Sequence, residues 1–312
     1  MAEAKKPRPV PLNTVELLKV ASKQLHMGPQ QTMNNAEYLY TSGYISYPRT
    51  ESSKYPEHYD IMDVLAPHAK HPVWGAYVRK LLEVGIAVPK SGVDAGDHPP
   101  ITPMRVATED ELMGDAWRLY EYICRHFIAS VSPDCKTVKS KAVFAIGKER
   151  FKFSGHRVSS PGFAEIMPWL LPKDDLMPDL TSLPAQVLVE SVKLVESQTS
   201  APDYLTEAEL IGLMEHNGIG TDASIPVHIN NICTRNFCWV DPYSRIITPT
   251  KLGISLVHGY YRIDPELVLP AFVAHHPHTH CSDPYHHCSL SSQGSRQHRR
   301  EHCADCTGTR VL

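Results

Sequence analysis

The sequence predicts a mainly α-helical protein with a β-hairpin module, an α+β fold, on three observations. Apolar residues recur at helical spacing in several segments between residues 13 and 130. Two alternating runs then flank Gly147 within residues 141–158, a pattern typical of a β-hairpin. After residue 203, two helical patterns and a second hairpin give the outline of a winged helix-turn-helix unit.

The first region is predicted to be helical. A basic, Pro-rich lead covers residues 1–9, and residues 10–133 form the first domain. Asn13 is expected to cap the first helix, Gly28 to stop it, and Gly43 to end the second helix. The helices of this domain are predicted over residues 13–27, 30–42, 56–66, 73–84 and 109–130.

Three further segments follow. Residues 134–202 are expected to be rich in strands, with the hairpin and a second strand pair in residues 185–197. Residues 203–270 hold the winged-helix-like unit, which begins with the capping-box pattern of a threonine followed three residues later by a glutamate. Residues 271–312 contain eight of the 18 histidines and few apolar residues, which predicts a tail and not a domain.

Composition excludes several classes of protein. The chain has 312 residues, 42% of them hydrophobic, which is typical of a globular protein with a sizeable core. Its 31 Lys and Arg against 34 Asp and Glu give a net charge of −3, so nucleic-acid recognition would have to be local. No apolar run is long enough to span a bilayer, so no membrane partner is expected. The eight cysteines form no early disulfide framework, which fits a reducing compartment.

The most chemically distinctive stretch is GYISYPRTES, residues 43–52. Pro48 disfavours helical geometry at Tyr47, so the run is expected to be extended and to place Tyr47 beside Arg49. A free phenol has a pKa of about 10 and is a poor nucleophile, whereas a neighbouring guanidinium stabilises the phenolate and can also grip a phosphate. The pair therefore suits attack on a phosphodiester. The alternative is a partly buried strand tyrosine beside an interface arginine.

This stretch resembles the active-site signature of type IA DNA topoisomerases, and the form Tyr-Pro-Arg-Thr-Glu is similar to the topoisomerase III branch. The resemblance runs collinearly over about residues 8–270. DAGDHPPITPM, residues 94–104, resembles the histidine loop of the family. Residues 202–233 resemble the helix-turn-helix of its single-strand-binding domain. AGDHPPITPM and SIPVHINNIC look most like the III-beta subfamily. Residues 134–202 would then belong to the arch of the family fold.

The resemblance implies catalytic roles for three residues. Tyr47 matches the nucleophile that forms a 5′-phosphotyrosyl link to cleaved DNA. Arg49 matches the arginine that positions and neutralises the scissile phosphate, and His98 matches the family's active-site histidine. Tyr44 does not match the nucleophile and is interpreted as a packing residue or a base-stacking neighbour. Without the resemblance, His98 would be interpreted as a solvated loop histidine.

The resemblance also implies a nucleic-acid interface. Ser224 matches a position that contacts the DNA backbone, and Gly218 and Gly220 would let that backbone approach closely. An ordinary helix cap is the alternative for Ser224. The implied partners are single-stranded DNA, RNA as a further substrate, and a Tudor-domain protein, and the implied location is the nucleus and cytoplasm.

The family uses Mg²⁺ and no nucleotide, and it holds the metal on carboxylates of a TOPRIM domain. This sequence contains no Asp-x-Asp pattern and starts just before the tyrosine domain, so a fragment without the TOPRIM half and the usual C-terminus is expected. Such a chain would bind single strands but would not relax supercoiled DNA by itself. The alternatives are a non-enzymatic single-stranded nucleic-acid-binding module and a product without a stable fold.

The tail contains four thiols with partial zinc-site spacing. Cys303 and Cys306 are separated by two residues, as in many zinc sites, but six residues separate Cys281 and Cys288. Adventitious metal binding is therefore favoured over a structural zinc site.

Overall fold

A computed structural model describes residues 2–176 and 186–270. Its helices and small antiparallel sheets confirm the predicted α+β fold class. The elements are β1 Ala2–Lys6, α1 Thr14–Val20, α2 Pro29–Thr41, α3 Ile61–Leu65, α4 Gly75–Val84, α5 Gly114–Ser130, β2 Cys135–Ile146, β3 Glu149–Ser160, α6 Glu207–His216, α7 Ile225–Thr234, β4 Cys238–Val240, β5 Ile247–Pro249 and α8 Lys251–Ile263. Among these described helices, none has the length and apolar character needed to cross a bilayer.

The first helix begins as predicted but ends differently. Asn13 Oδ1 accepts a hydrogen bond from the Glu16 amide at 2.9 Å, which caps α1. The helix continues as a π-helical turn over Ala21–Leu25 and ends at His26, which has a left-handed φ of 55°. The prediction that Gly28 stops this helix is therefore wrong. Gly28 precedes α2, and a Cβ there would lie 2.7 Å from a guanidinium nitrogen of Arg245.

The larger hydrophobic core is built around α5. This helix is covered on most sides, and the fully buried side chains include Trp74, Tyr120 and Phe127. Residues of α1, α2, α3 and α4 complete the cluster. Burial of so many large side chains provides most of the hydrophobic stabilisation of this part of the chain.

The hairpin of β2 and β3 is confirmed, with Ile146 paired to Glu149 across a two-residue turn. Gly147 adopts a φ of 60° in this turn, a conformation that favours glycine. The sequence patterns did not predict β1, in which Ala2 pairs with Lys139 and makes the hairpin a three-stranded sheet. The prediction of a second strand pair in residues 185–197 is wrong, because residues 186–197 form no strand. Their apolar side chains, such as Leu188, Val192 and Leu194, are exposed, and no strand of the described ranges pairs with them.

Residues 203–270 contain the predicted winged-helix elements. Thr206 and Glu209 form a reciprocal capping box at the start of α6, as predicted. Strands β4 and β5 pair as the second predicted hairpin. The structure adds α8, whose first turn is capped by Thr250 accepting from the Gly253 amide at 3.1 Å.

A second hydrophobic cluster joins the winged-helix unit to the first two helices. The unit and the two helices contribute buried side chains to one cluster, whose members are Val15, Leu18, Met33, Ile211, Met214, Ile225 and Ile229. The core of residues 203–270 is therefore completed by α1 and α2. Helix α2 also contributes Ala36 and Leu39 to the larger core, so it is a wall of both clusters.

A buried ion pair adds polar contacts across the same junction. The side chain of Glu207 is 2% exposed and accepts hydrogen bonds from Arg245 at 2.8 Å and from the Ser22 hydroxyl at 2.8 Å. These contacts connect α6 to the π-helical turn after α1 and to the loop between β4 and β5. Removing one partner of a buried pair usually costs about 3–5 kcal/mol, because the other charge is left uncompensated.

The first prediction concerns His68 and acid stability. Trp74 donates its indole N–H to Nδ1 of buried His68 at 3.1 Å, so that nitrogen is unprotonated. Burial, helped by the neighbouring His71, lowers the pKa of His68 to about 4. The unfolded chain, with a pKa of about 6.5, takes up its proton first, so the free energy of unfolding should fall as the pH drops from 6.5 towards 4. At pH 5 the loss from this residue should be about 2 kcal/mol.

Urea unfolding at pH 7.5 and pH 5 measures this loss. His68→Asn keeps a hydrogen-bond acceptor but does not titrate in this range, so its free energy of unfolding should depend less on pH. Equal pH dependence in wild type and variant would contradict the assignment.

Candidate active site

The segment that carries Tyr47 is held by the loop that carries His98. Ile45 and Pro103 form an isolated antiparallel β-bridge. The Ser46 amide donates to the Thr102 carbonyl at 2.9 Å, and the Thr102 amide donates to the Ser46 hydroxyl at 2.9 Å. Residues 46–52 form no regular strand. The side chains of Tyr47 and Arg49 are therefore positioned by specific contacts with neighbouring residues, and not by the alternation of an extended strand.

A buried threonine fixes the backbone between Tyr47 and residue 50. Thr14 is fully buried at the start of α1, and its hydroxyl donates to the Pro48 carbonyl at 2.7 Å. The same hydroxyl accepts from the Thr50 amide at 2.8 Å, and the Thr14 amide donates to the Thr50 carbonyl at 3.1 Å. One side chain thus satisfies polar groups on both sides of Arg49.

Asp97 fixes the other side of the site. Its carboxylate accepts from the Ser52 hydroxyl at 2.6 Å and from the Glu51 amide at 2.8 Å, while the Thr50 hydroxyl donates to the His98 carbonyl at 2.6 Å. Partial burial would raise the pKa of Asp97, but hydrogen bonds from Ser52, the Glu51 amide and Thr50 outweigh it and leave the pKa below its usual value. The carboxylate therefore stays ionised and anchors the histidine loop.

These anchors bring Tyr47 and His98 together. Their ring centroids are 4.6 Å apart in an edge-on arrangement, and Tyr47 also contacts the ring of Tyr40 at 5.2 Å. Tyr47 is half-buried and His98 is exposed. Tyr44 is different, because its ring is 6% exposed and its hydroxyl donates to Glu111 at 2.8 Å. Tyr44 is therefore a packing residue and not a base-stacking platform.

Arg49 lies in the same group of side chains. Its guanidinium donates a hydrogen bond to the Glu37 carboxylate on α2. That hydrogen bond raises the pKa of Arg49 against a smaller effect of burial, with further contributions from the charges of Glu37, Tyr47 and Asp222. The arginine is thus coupled electrostatically to Tyr47 and to the turn between α6 and α7.

That turn carries the three predicted nucleic-acid contacts. Gly218 and Gly220 have φ values of 65° and 81°, which favour glycine. A Cβ at Gly220 would lie 2.8 Å from the Ser224 hydroxyl, whereas a Cβ at Gly218 would meet no atom within 4 Å. Ser224 is the N-cap residue of α7, but its hydroxyl accepts from the Thr221 amide at 2.8 Å and does not cap the helix. The assigned roles of these residues stay predictions.

The described residues do not supply a metal site. Within residues 2–176 and 186–270, no three His, Cys, Asp or Glu side chains come together in a way that could hold a metal ion. No carboxylate of these described residues is therefore assigned as a ligand of the Mg²⁺ expected for the family. The zinc candidates Cys281, Cys288, Cys303 and Cys306 lie outside the described residues.

Comparison with known sequences identifies the class of protein. A sequence model described as DNA topoisomerase matches residues 1–276, so the chain belongs to this family. The family resemblance of the sequence is thereby confirmed. Within the family, the chain is 60% identical over 269 residues to DNA topoisomerase 3-beta-1 of Homo sapiens. It is 55% identical over 265 residues to DNA topoisomerase 3-beta of Arabidopsis thaliana, and 38% identical over 264 residues to DNA topoisomerase 3-alpha of Homo sapiens.

Coverage of these relatives is partial. The match takes in 86% of this chain but 31% of human DNA topoisomerase 3-beta-1. The corresponding shares are 85% and 30% for the Arabidopsis protein, and 84% and 26% for the human 3-alpha protein. Full-length topoisomerase I from Thermotoga maritima has a similar fold, with a TM-score of 0.64 and 22% identity over 88% of this chain and 46% of that one.

Sequence patterns missed four residues that shape the site, namely Thr14, Glu37, Tyr40 and Asp97. Asp97 and Thr14 act through hydrogen bonds to residues 34 to 47 positions away, which no local pattern reveals. Glu37 and Tyr40 are three residues apart on α2 and therefore project from one side of the helix. In the sequence, the available signal for these two residues was a carboxylate followed three positions later by an aromatic residue.

The second prediction tests the clamp at Thr14. Thr14→Val preserves the shape but removes the hydroxyl, so the buried Pro48 carbonyl and Thr50 amide each lose a partner. Loss of such contacts usually costs about 1–3 kcal/mol. The midpoint of urea unfolding should fall accordingly, and Thr14→Ser should retain most of the stability because it keeps the hydroxyl. A larger loss in Thr14→Ser than in Thr14→Val would show that the methyl group, not the hydroxyl, is the important part.

Proposed function

We propose that this chain carries the nucleophile and the phosphate-binding groups of a type IA DNA topoisomerase. The observation that supports the proposal most directly is the grouping of Tyr47 with His98, at 4.6 Å between ring centroids, beside an arginine coupled to the same phenol. Membership of the DNA topoisomerase family supports it independently. The substrate is a phosphodiester of single-stranded DNA.

In the proposed reaction, the Tyr47 oxygen attacks phosphorus and the bond to the 3′ oxygen breaks. The products are a 5′-phosphotyrosyl link and a free 3′-hydroxyl, and the phenolic proton is transferred to the departing 3′ oxygen or to solvent. Attack by that hydroxyl on the phosphotyrosyl bond reverses the step and restores the strand. Arg49 stabilises negative charge that develops on the phosphoryl oxygens. His98, whose ring centroid is 4.6 Å from that of Tyr47, is the proposed hydrogen-bond donor to the same phosphate. Mg²⁺ dependence is a property of the family, and no step here is assigned to a metal.

The turn that contains Gly218, Gly220 and Ser224 is the proposed contact with the strand backbone. The open space beside Gly218, where a Cβ would meet no atom within 4 Å, supports this assignment. Strand passage, RNA as a second substrate, a Tudor-domain partner, and location in the nucleus and cytoplasm remain predictions from the family resemblance. Non-enzymatic binding of single strands is the alternative.

The third prediction concerns the nucleophile. In a hybrid enzyme, this chain replaces the matching segment of human DNA topoisomerase 3-beta-1, with which it shares 60% identity over 269 residues. Incubated with Mg²⁺ and a labelled single-stranded oligonucleotide, then quenched with denaturant, the hybrid should form a covalent adduct. Tyr47→Phe should abolish the adduct, because it removes the attacking oxygen. Tyr44→Phe is the matched control and should retain it.

An adduct that persists in Tyr47→Phe would contradict the assignment of the nucleophile. No adduct in the wild-type hybrid, together with oligonucleotide binding by the chain in a filter assay, would favour the non-enzymatic alternative.

The fourth prediction concerns Arg49. Arg49→Lys keeps the positive charge but cannot make two parallel hydrogen bonds to a phosphate. Loss of one such transition-state contact typically costs about 10²–10³ in rate. Adduct formation by the hybrid should therefore slow by about this factor, while the affinity for the oligonucleotide changes little. A rate near that of wild type would show that charge alone is sufficient.

A further inference from the structure

Helix α2 contacts both members of the proposed catalytic pair. The Glu37 carboxylate accepts from the guanidinium of Arg49, and the ring of Tyr40 packs edge-on against that of Tyr47 at 5.2 Å. Because Glu37 and Tyr40 are three residues apart, one side of one helix touches both side chains.

The ion pair is poorly suited to a purely stabilising role. The side chains of Arg49 and Glu37 are 36% and 44% exposed, and ion pairs this exposed contribute little to the stability of a fold. Arginine is also among the side chains with the most rotamer freedom. A carboxylate that holds one guanidinium nitrogen removes much of that freedom before a substrate arrives. The remaining N–H groups stay available to a phosphate.

We infer that Glu37 is a positioning residue for Arg49, which it orients beside Tyr47 for the phosphate that the phenol attacks. The inference rests on the proposed function and adds to it a residue outside the signature run of residues 43–52. Glu37 acts through Arg49 and does not touch the phosphate. Its loss should therefore slow the chemical step more than it weakens binding of the strand.

The first measurement uses the full chain and no substrate. Phenylglyoxal modifies accessible guanidinium groups, and mass spectrometry of the Arg49 peptide gives its rate of modification. Glu37→Gln should raise that rate several-fold, because the guanidinium loses its charged partner. Glu165→Gln is the matched control, since it removes a similarly exposed ion pair with Lys80, 3.1 Å long, elsewhere on the surface. An unchanged rate at Arg49 in Glu37→Gln would overturn the inference.

The second measurement is a double-mutant cycle in the hybrid enzyme. Glu37→Gln should slow formation of the oligonucleotide adduct about 10- to 100-fold with little change in affinity. Because Glu37 acts through Arg49, adding Glu37→Gln to Arg49→Lys should cause little further loss. Glu165→Gln should react like wild type.

The outcomes separate the two proposals. A Tyr47-dependent adduct that forms at the wild-type rate in Glu37→Gln overturns the role of Glu37 and leaves the proposed function intact. Faster reaction of Glu37→Gln also overturns it, because the carboxylate would then compete with phosphate for Arg49. Fully additive losses in the double variant indicate a role that does not pass through Arg49. No adduct in the wild-type hybrid contradicts the proposed function, and the phenylglyoxal rates then still decide whether Glu37 orients Arg49.

Discussion

The geometry of the site depends on how an irregular stretch of backbone satisfies its polar groups. Residues 46–52 belong to no strand of the described structure, yet they lie against a packed core where unpaired N–H and C=O groups would be costly. The hydroxyl of Thr14 provides the missing partners, and Asp97 does the same for the residues that follow Arg49. Side chains from distant parts of the sequence thus make the hydrogen bonds that a neighbouring strand would make in a sheet. This gives Tyr47 and Arg49 fixed backbones while their side chains remain accessible.

Helix α2 connects this site to the winged-helix unit. Met33 lies in the smaller cluster with residues of α6 and α7, and Glu37, four residues further along, holds Arg49. Met33, Glu37 and Tyr40 thus lie on one helix, which contacts both the winged-helix unit and the side chains of Tyr47 and Arg49. The shared clusters also explain why the winged-helix unit depends on α1 and α2 for its core.

The sequence alone was sufficient for the fold class and the family, because these depend on periodicity, turn residues and short motifs. Asn13, the capping box at Thr206 and the hairpin turn at Gly147 are local features, and the structure confirms each one. Alternation in residues 185–197 was misleading, because a strand also needs a partner, and a periodic pattern does not reveal whether one exists. Thr14 and Asp97 could not be assigned to the site, since their partners are 34 to 47 residues away in the sequence.

The close approach of Arg245 to Gly28 has a consequence for how this sequence can vary. A Cβ at position 28 would collide with the guanidinium of Arg245, which neutralises buried Glu207. The Glu207 carboxylate also accepts a hydrogen bond from the Ser22 hydroxyl. Drift at any one of these four positions is therefore restricted by the other three. A side chain at position 28 would require the guanidinium of Arg245 to shift away from Glu207, and a shorter residue at position 245 would leave the charge of Glu207 unpaired. These four positions are spread over more than 200 residues of the sequence. Substitutions at them should therefore tend to appear together in the same lineages.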